Sequence, residues 1–272
     1  MAMTIWLIVL RALTMSWVPP LIDEFRDEYN RPLPERKSRP AKPVSAASPC
    51  KPGMALIDGG TFAARPLRRF CLDTHEVTVG EFHAYVQQLA ATDGERLQRQ
   101  LGHVSASEPI GKERCTWSRR GKAPQRPINC VAIDEAQEFC EFHGKRLPTH
   151  VEWKWAARGA LAAFKYPGGN HKPTAAWLNM PRAADDRYGE PRDVGSYTPS
   201  LSGLHDMAGN VWEWVACTTA EPRCSARGGG FATFAEEELR TAFAGREHAR
   251  EARSAEVGFR CAAAAATGDA QR

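Results

Sequence analysis

Gly203-Leu-His-Asp-Met-Ala-Gly-Asn-Val-Trp-Glu-Trp214 is the stretch on which the reading of the fold turns. It lies where regular periodicity has faded. Beyond Gly159, glycine, proline, asparagine and aromatic residues dominate for about a hundred residues. A stretch of that composition orders only if disulfides, metals or aromatic packing hold it. Trp212 and Trp214, with Trp153 and Trp155 upstream, therefore read as core and groove walls rather than a cofactor box.

Upstream of this stretch the pattern is regular. Met54-Ala-Leu-Ile57 followed by Asp58-Gly-Gly60 reads as a short strand running into a turn. From Thr78 onward, Val79, Phe82, Val86 and Leu89 recur at helical spacing. A second helix is expected from Asp134 as N-cap, burying Ala136, Phe139 and Cys140 and stopped by Gly144. A third follows Pro148. There Thr149 and Glu152 form a capping box, Trp153 and Ala156 face the core, and Gly159 ends the helix.

The 272 residues are 43% apolar, enough for a packed core, and their net charge of +4 is spread along the chain. Other residues interrupt every basic run in the body, which excludes a nucleic-acid-binding stripe. The eight cysteines are dispersed and contain no Cys-x-x-Cys pair of the kind a zinc knuckle needs. An even, dispersed set points to disulfides and an oxidising compartment, against the alternative of buried, reduced thiols. Proximity in sequence suggests Cys50 with Cys71, Cys115 with Cys130, and Cys217 with Cys224. His75, His83, His143, His150 and His205 show no metal-ligand spacing.

Three regions follow. Residues 1–49 combine an apolar stretch, Thr4 to Val18, with a linker rich in proline, arginine and lysine. That stretch leaves open a poor signal peptide, a short anchor or a wrongly chosen start, and any membrane contact would come through it. Residues 50–262 are the expected domain. Residues 263–272 are an alanine-rich tail expected to be frayed. With the cysteines, this places the protein outside the cytoplasm: secreted, periplasmic or N-terminally anchored.

Two segments are specific enough to carry a resemblance. They are Gly144-Lys-Arg-Leu-Pro-Thr-His-Val-Glu-Trp-Lys-Trp-Ala-Ala-Arg-Gly159 and the stretch quoted first. Supporting pieces occur in order at Met54 to Phe62, Phe70 to Thr78, Pro127 to Val131, Arg227-Gly-Gly-Gly-Phe231 and Gly258-Phe-Arg-Cys261. Together they resemble the formylglycine-generating-enzyme, or sulfatase-modifying-factor, family over nearly all of residues 50–262. The resemblance implies a modified C-type-lectin-like α+β fold with much irregular structure. It also implies a bridge between Cys140 and Cys261, and it puts Ala157 and Phe243 where the family has a second bridge.

Catalytic members of that family oxidise a substrate cysteine to formylglycine with two cysteines that bind copper(I), a soft ion that prefers thiolate. Carried onto this chain, those positions are Thr233 and Glu238, and the serine of the preceding turn is Gly230. No cysteine lies between Cys224 and Cys261, so no shift of register restores the pair. Copper is therefore not expected. Glu236, Glu237 and Glu238 read as a solvated acidic run, and Arg246 falls where the family lines its substrate groove.

The cofactor that the resemblance leaves in place is structural calcium. One site would use the side chains of Asp206 and Glu213 with the carbonyls of Gly209 and Val211. A second would use the side chains of Asn179 and Asp186 with the carbonyls of Met180 and Tyr188. The competing expectation is that Asp206 and Glu213 satisfy buried amides or Arg260. In function, the residues favour a non-catalytic binding or accessory scaffold, a pseudoenzyme with a peptide or protein ligand. The alternative is an oxidoreductase that generates formylglycine or carries out a related oxidation of a peptide.

Overall fold

The computed structural model describes residues 48–97, 100, 114–160, 163–181 and 189–266. Residues 1–47, the end of the tail, and Asp186 and Tyr188 of the second calcium set lie outside the described residues. A three-stranded antiparallel sheet joins the two ends of the described chain. Its strands are β1 (Met54–Ile57), β4 (Phe70–Asp73) and β9 (Ala262–Ala264), with β4 central. Between β1 and β4, a hairpin pairs β2 (Gly60–Phe62) with β3 (Arg65–Leu67). Strand β9 corrects the expected frayed tail. Ala262 and Ala263 are buried because they pair with Leu72 and Cys71 of the fully buried β4.

Helix α1 (Val79–Thr92) starts at Thr78, whose hydroxyl accepts the Glu81 N–H (3.1 Å) while the Glu81 carboxylate accepts the Thr78 N–H (2.8 Å). Helix α2 (Ile133–Phe142) begins two residues earlier than expected, with Ala132 and not Asp134 at the N-cap. The Glu135 carboxylate accepts the Ala132 N–H at 2.7 Å, which leaves Asp134 free to pair with Arg250 at the surface. Helix α3 (His150–Ala157) carries the expected Thr149–Glu152 box, closed by hydrogen bonds of 3.2 and 2.9 Å.

A second sheet has the order β7 (Arg246–Ala249), β6 (Arg223–Arg227), β5 (Trp212–Trp214), β8 (Val257–Gly258). Only the β5–β8 pair is parallel. Helices α1 and α2 pack against this sheet through an aromatic column in which the Phe82 and Phe139 rings stack and Phe139 meets Phe259 edge-on. Helix α3 instead lays Trp153, Trp155 and Ala156 against Ile57, Phe70, Leu72 and Met207. Ala157 is buried in that second cluster, while Phe243 packs against the first, so neither position of the missing bridge is polar.

Four disulfides join Cys50 to Cys71, Cys115 to Cys130, Cys140 to Cys261 and Cys217 to Cys224. They are the pairs that proximity and the resemblance suggested. Bridges in this number are typical of proteins outside the reducing cytosol. Among the described residues, no helix is long and apolar enough to cross a membrane.

Candidate functional site

The turn after β6, Gly228-Gly-Gly-Phe231, docks on the stretch from Gly203 to Trp214. Gly209 N–H donates to the Gly228 carbonyl (3.0 Å), and Phe231 N–H donates to the Asn210 carbonyl (2.7 Å). The approach is close at both central glycines, and at Gly229 the positive φ requires glycine. A Cβ on Gly230 would sit 3.1 Å from Trp212 Cδ1, and one on Gly229, at φ +77°, would sit 2.5 Å from Leu239 Cδ2.

Thr233 is fully buried below this turn. Its hydroxyl accepts the Gly230 N–H (2.9 Å), and its own N–H donates to the Gly230 carbonyl (2.9 Å). It is thus a clamp on the turn. Glu238 lies in a single 3-10 turn, Glu236–Leu239, and its carboxylate grips Arg246 through Nε (2.8 Å) and a terminal nitrogen (2.6 Å). The Arg246 guanidinium lies 4.7 Å from the centre of the Trp212 ring and 3.5 Å from Glu256. The expected solvated acidic run needs correcting, since only Glu237 is exposed. Glu236 is drawn into bonds with the Tyr166 hydroxyl and Lys172, which hold its carboxyl down at about 2. Glu238 is drawn in by Arg246.

Chemically, this arrangement is a neutralised ion pair laid over an indole, beside a hydroxyl already engaged with backbone. Neither Thr233 nor Glu238 offers a soft ligand. The half-exposed Arg246–Glu238 pair presents one polar edge above the buried Trp212 ring.

The first calcium set lies in the same stretch. Asp206 Oδ2 accepts the Gly195 N–H at 2.7 Å. Glu213 is fully buried, and both its oxygens are held by Arg260 (2.8 and 2.7 Å), one of them also by the Trp153 indole (2.7 Å). The competing expectation had named Arg260, and the hydrogen bonds follow it. Sequence reading missed Glu76, which is fully buried beside Asp206 and Glu213. Burial and the Asp206 charge push the Glu76 carboxyl well above the usual carboxylate range. Its Oε1 accepts from Asn210 Nδ2 (3.0 Å), and its Oε2 has no partner. Glu76 lies in the mixed strand-to-helix passage Phe70 to Thr78, where no periodicity marks it as buried.

Hard oxygen donors and an orphaned buried acceptor suit a hard cation, but Glu213 would have to be shared with Arg260. Among the described residues, no three His, Cys, Asp or Glu side chains are grouped to hold a metal. In the second set, the Asn179 side-chain amide donates to the Glu190 carbonyl (2.9 Å) and Asn210 Oδ1 (3.1 Å), and Met180 is half-buried.

The comparisons agree with this geometry. The family model for the sulfatase-modifying factor enzyme 1-like domain matches residues 40–265. The formylglycine-generating enzyme of Streptomyces coelicolor is 31% identical over 182 residues, 55% of this chain and 58% of that protein. The chain thus spans little more than half of that relative's length. The inactive C-alpha-formylglycine-generating enzyme 2 of Bos taurus is 39% identical over 97 residues, 33% of this chain and 32% of that protein. Among solved structures, CarF superposes with a TM-score of 0.59 at 21% identity, covering 78% of this chain and 97% of CarF. The fold is therefore α+β, of the formylglycine-generating-enzyme type.

Proposed function

Because the chain belongs to the sulfatase-modifying factor family, we propose that it serves as a non-catalytic binding or accessory scaffold outside the cytoplasm. The observation that carries this reading is the pair of residues at the copper positions. Thr233 is spent on the Gly230 turn, and Glu238 is spent on Arg246. The four disulfides support the location. The Bos taurus relative, whose name describes it as inactive, is in keeping with a family that includes non-catalytic members. A peptide or protein ligand would meet the half-exposed Arg246 guanidinium, which the buried Trp212 ring backs.

The test is direct. Purified protein is incubated with copper(I) and a Cys-x-Pro-x-Arg peptide, and the peptide mass is followed. The expected outcome is an unchanged peptide; sustained conversion to formylglycine would establish the oxidoreductase instead. Calcium enters this reading as a structural ion at Asp206 and the carbonyls of Gly209 and Val211, with Glu213 shared between the ion and Arg260. Metal analysis of the same sample after mild dialysis should find it near one equivalent, and a trace amount would remove it from the proposal.

A further inference from the structure

The β2–β3 hairpin meets helix α3 through one ring. Phe62 packs edge-on against Trp155, with 6.1 Å between centres. Two cations converge on the same ring: Lys154 Nζ lies 5.5 Å from its centre and the Arg158 guanidinium 5.7 Å. Across the hairpin, Arg65 is the strand partner of Phe62. Opposite residues of such a pair rise on the same face, so Arg65 brings a third charge to that side. Arg65 is exposed, as are Arg68 and Arg69 just beyond β3.

The charge of this face is one-sided. The buried Arg227 binds the His150 ring, one turn before Lys154 (2.8 Å). Burial, then the charges of Arg227 and Arg158, push the Lys154 ammonium below its ordinary range. Glu152, the acid of α3, is held by Arg146 at 2.6 Å. Asp58 is exposed at the turn before β2, and its carbonyl takes the Trp155 indole N–H (2.8 Å). Among the described residues, neither acid forms an ion pair with Arg65, Lys154 or Arg158. Cations gathered in this way repel one another, and their field favours an anionic partner. No run of sequence announces the face, because its charges come from residues 65–69, 154–158 and 227.

We propose that this face binds an acidic segment of a partner protein, with carboxylates at alternate positions of an extended chain set against Lys154, Arg158 and Arg65. The spacing suits such a segment. Lys154 and Arg158 stand four residues apart along α3 and its cap, about 6 Å of helix rise. Alternate side chains of an extended chain are about 6.6–6.8 Å apart. Arginine clusters grip acidic motifs through their paired donors. A nucleic acid engages a longer cationic track, on the order of 6–10 phosphates. The face shares no residue with the Arg246–Glu238 edge, so the copper assay can come out either way without deciding this inference.

The experiment titrates the full chain at low salt with acetyl-Glu-Ser-Glu-Ser-Glu-amide and with the same peptide carrying glutamine for glutamate. Saturation-transfer NMR reads the binding. The glutamate peptide should bind about tenfold more tightly, a factor that two or three exposed ion pairs supply. Salt at about 1 M should erase the difference. Arg65→Gln, at an exposed hairpin position, should weaken the glutamate peptide severalfold, and Arg65→Gln with Lys154→Gln should bring the two peptides close to equal. Lys122→Gln, exposed on the loop after Arg119, should change nothing. The proposal is overturned if neither peptide binds at about 10 mM, if both bind equally at low salt, or if Lys122→Gln weakens binding as much as Arg65→Gln. Tighter binding of a thymidine oligonucleotide of the same charge would overturn it too, and make the face a nucleic-acid surface.

Discussion

Arg227 is 1% exposed and has no carboxylate partner among the described residues, which is rare for a buried guanidinium. Its donors go to the carbonyls of Ala244 (3.0 Å), Thr241 (3.3 Å) and Phe243, and to the His150 ring (2.8 Å). Its face lies 5.3 Å from the centre of the Trp153 ring. Burial lowers it to about 10, so it stays charged at neutral pH. His150 bears the consequence. Burial, then the charges of Arg227 and Lys154, push the imidazole from 6.5 down to about 4. The unfolded chain therefore takes up a proton below about pH 6.5 that the folded chain refuses until about pH 4. Stability is full above that window and falls as pH drops through it. His150→Gln should flatten the fall, so melting curves of the two proteins taken from pH 7 to pH 4 should converge at the acid end. Parallel curves would show that His150 has no part in it. Sequence placed His150 among surface or hydrogen-bonded histidines. The pattern could not reveal the cation beneath it, because Arg227 lies 77 residues away.

At the scale of elements, legibility followed locality. The Thr78 and Thr149 caps use a hydroxyl and a carboxylate three residues apart, so both could be read directly from sequence. The start of α2 could not, because Glu135 reaches a bare backbone N–H on Ala132, which leaves no side-chain signature. Strands β5 to β9 span two to five residues each and pair across long gaps, too short for a period to show. Bridges hold what pattern cannot. Cys140–Cys261 spans 121 residues and ties α2 to the approach to β9, whereas Cys217–Cys224 spans seven. Loop entropy assigns about 4–5 kcal/mol to the first and roughly 2–3 kcal/mol to the second. Urea unfolding of Cys140→Ala/Cys261→Ala should therefore show the larger loss, to which the buried setting of both sulfurs adds. Equal losses in the two double variants would mean that native strain, not loop closure, sets the value.

Across the whole molecule, Gly258-Phe-Arg-Cys261 is the seam. Arg260 binds Glu213 of β5, the Asp73 carbonyl at the end of β4 (3.1 Å) and the His205 carbonyl of the irregular stretch (2.8 Å). Cys261 N–H donates to the Asp73 carboxylate (2.9 Å), which also pairs with Lys145 (2.6 Å). Two sheets and the irregular half therefore meet on one buried cation. The motif was legible as a family piece, but its role was not, since its partners are scattered from Asp73 to Glu213. A buried ion pair is weak evidence of net stabilisation, but removing one member leaves an uncompensated charge that costs about 3–5 kcal/mol. Arg260→Met should therefore destabilise by about that amount, through Glu213 and the neighbouring Glu76. Adding Glu213→Gln to Arg260→Met removes a buried negative charge and should recover part of the loss, although the Trp153 indole still needs an acceptor. The two unfolding free energies decide the matter. A double variant no more stable than the single would mean that Arg260 acts through its carbonyl contacts. A clear recovery would place the seam's strength in the charge pair, and would explain why Glu213 is already occupied in a region otherwise rich in oxygen donors.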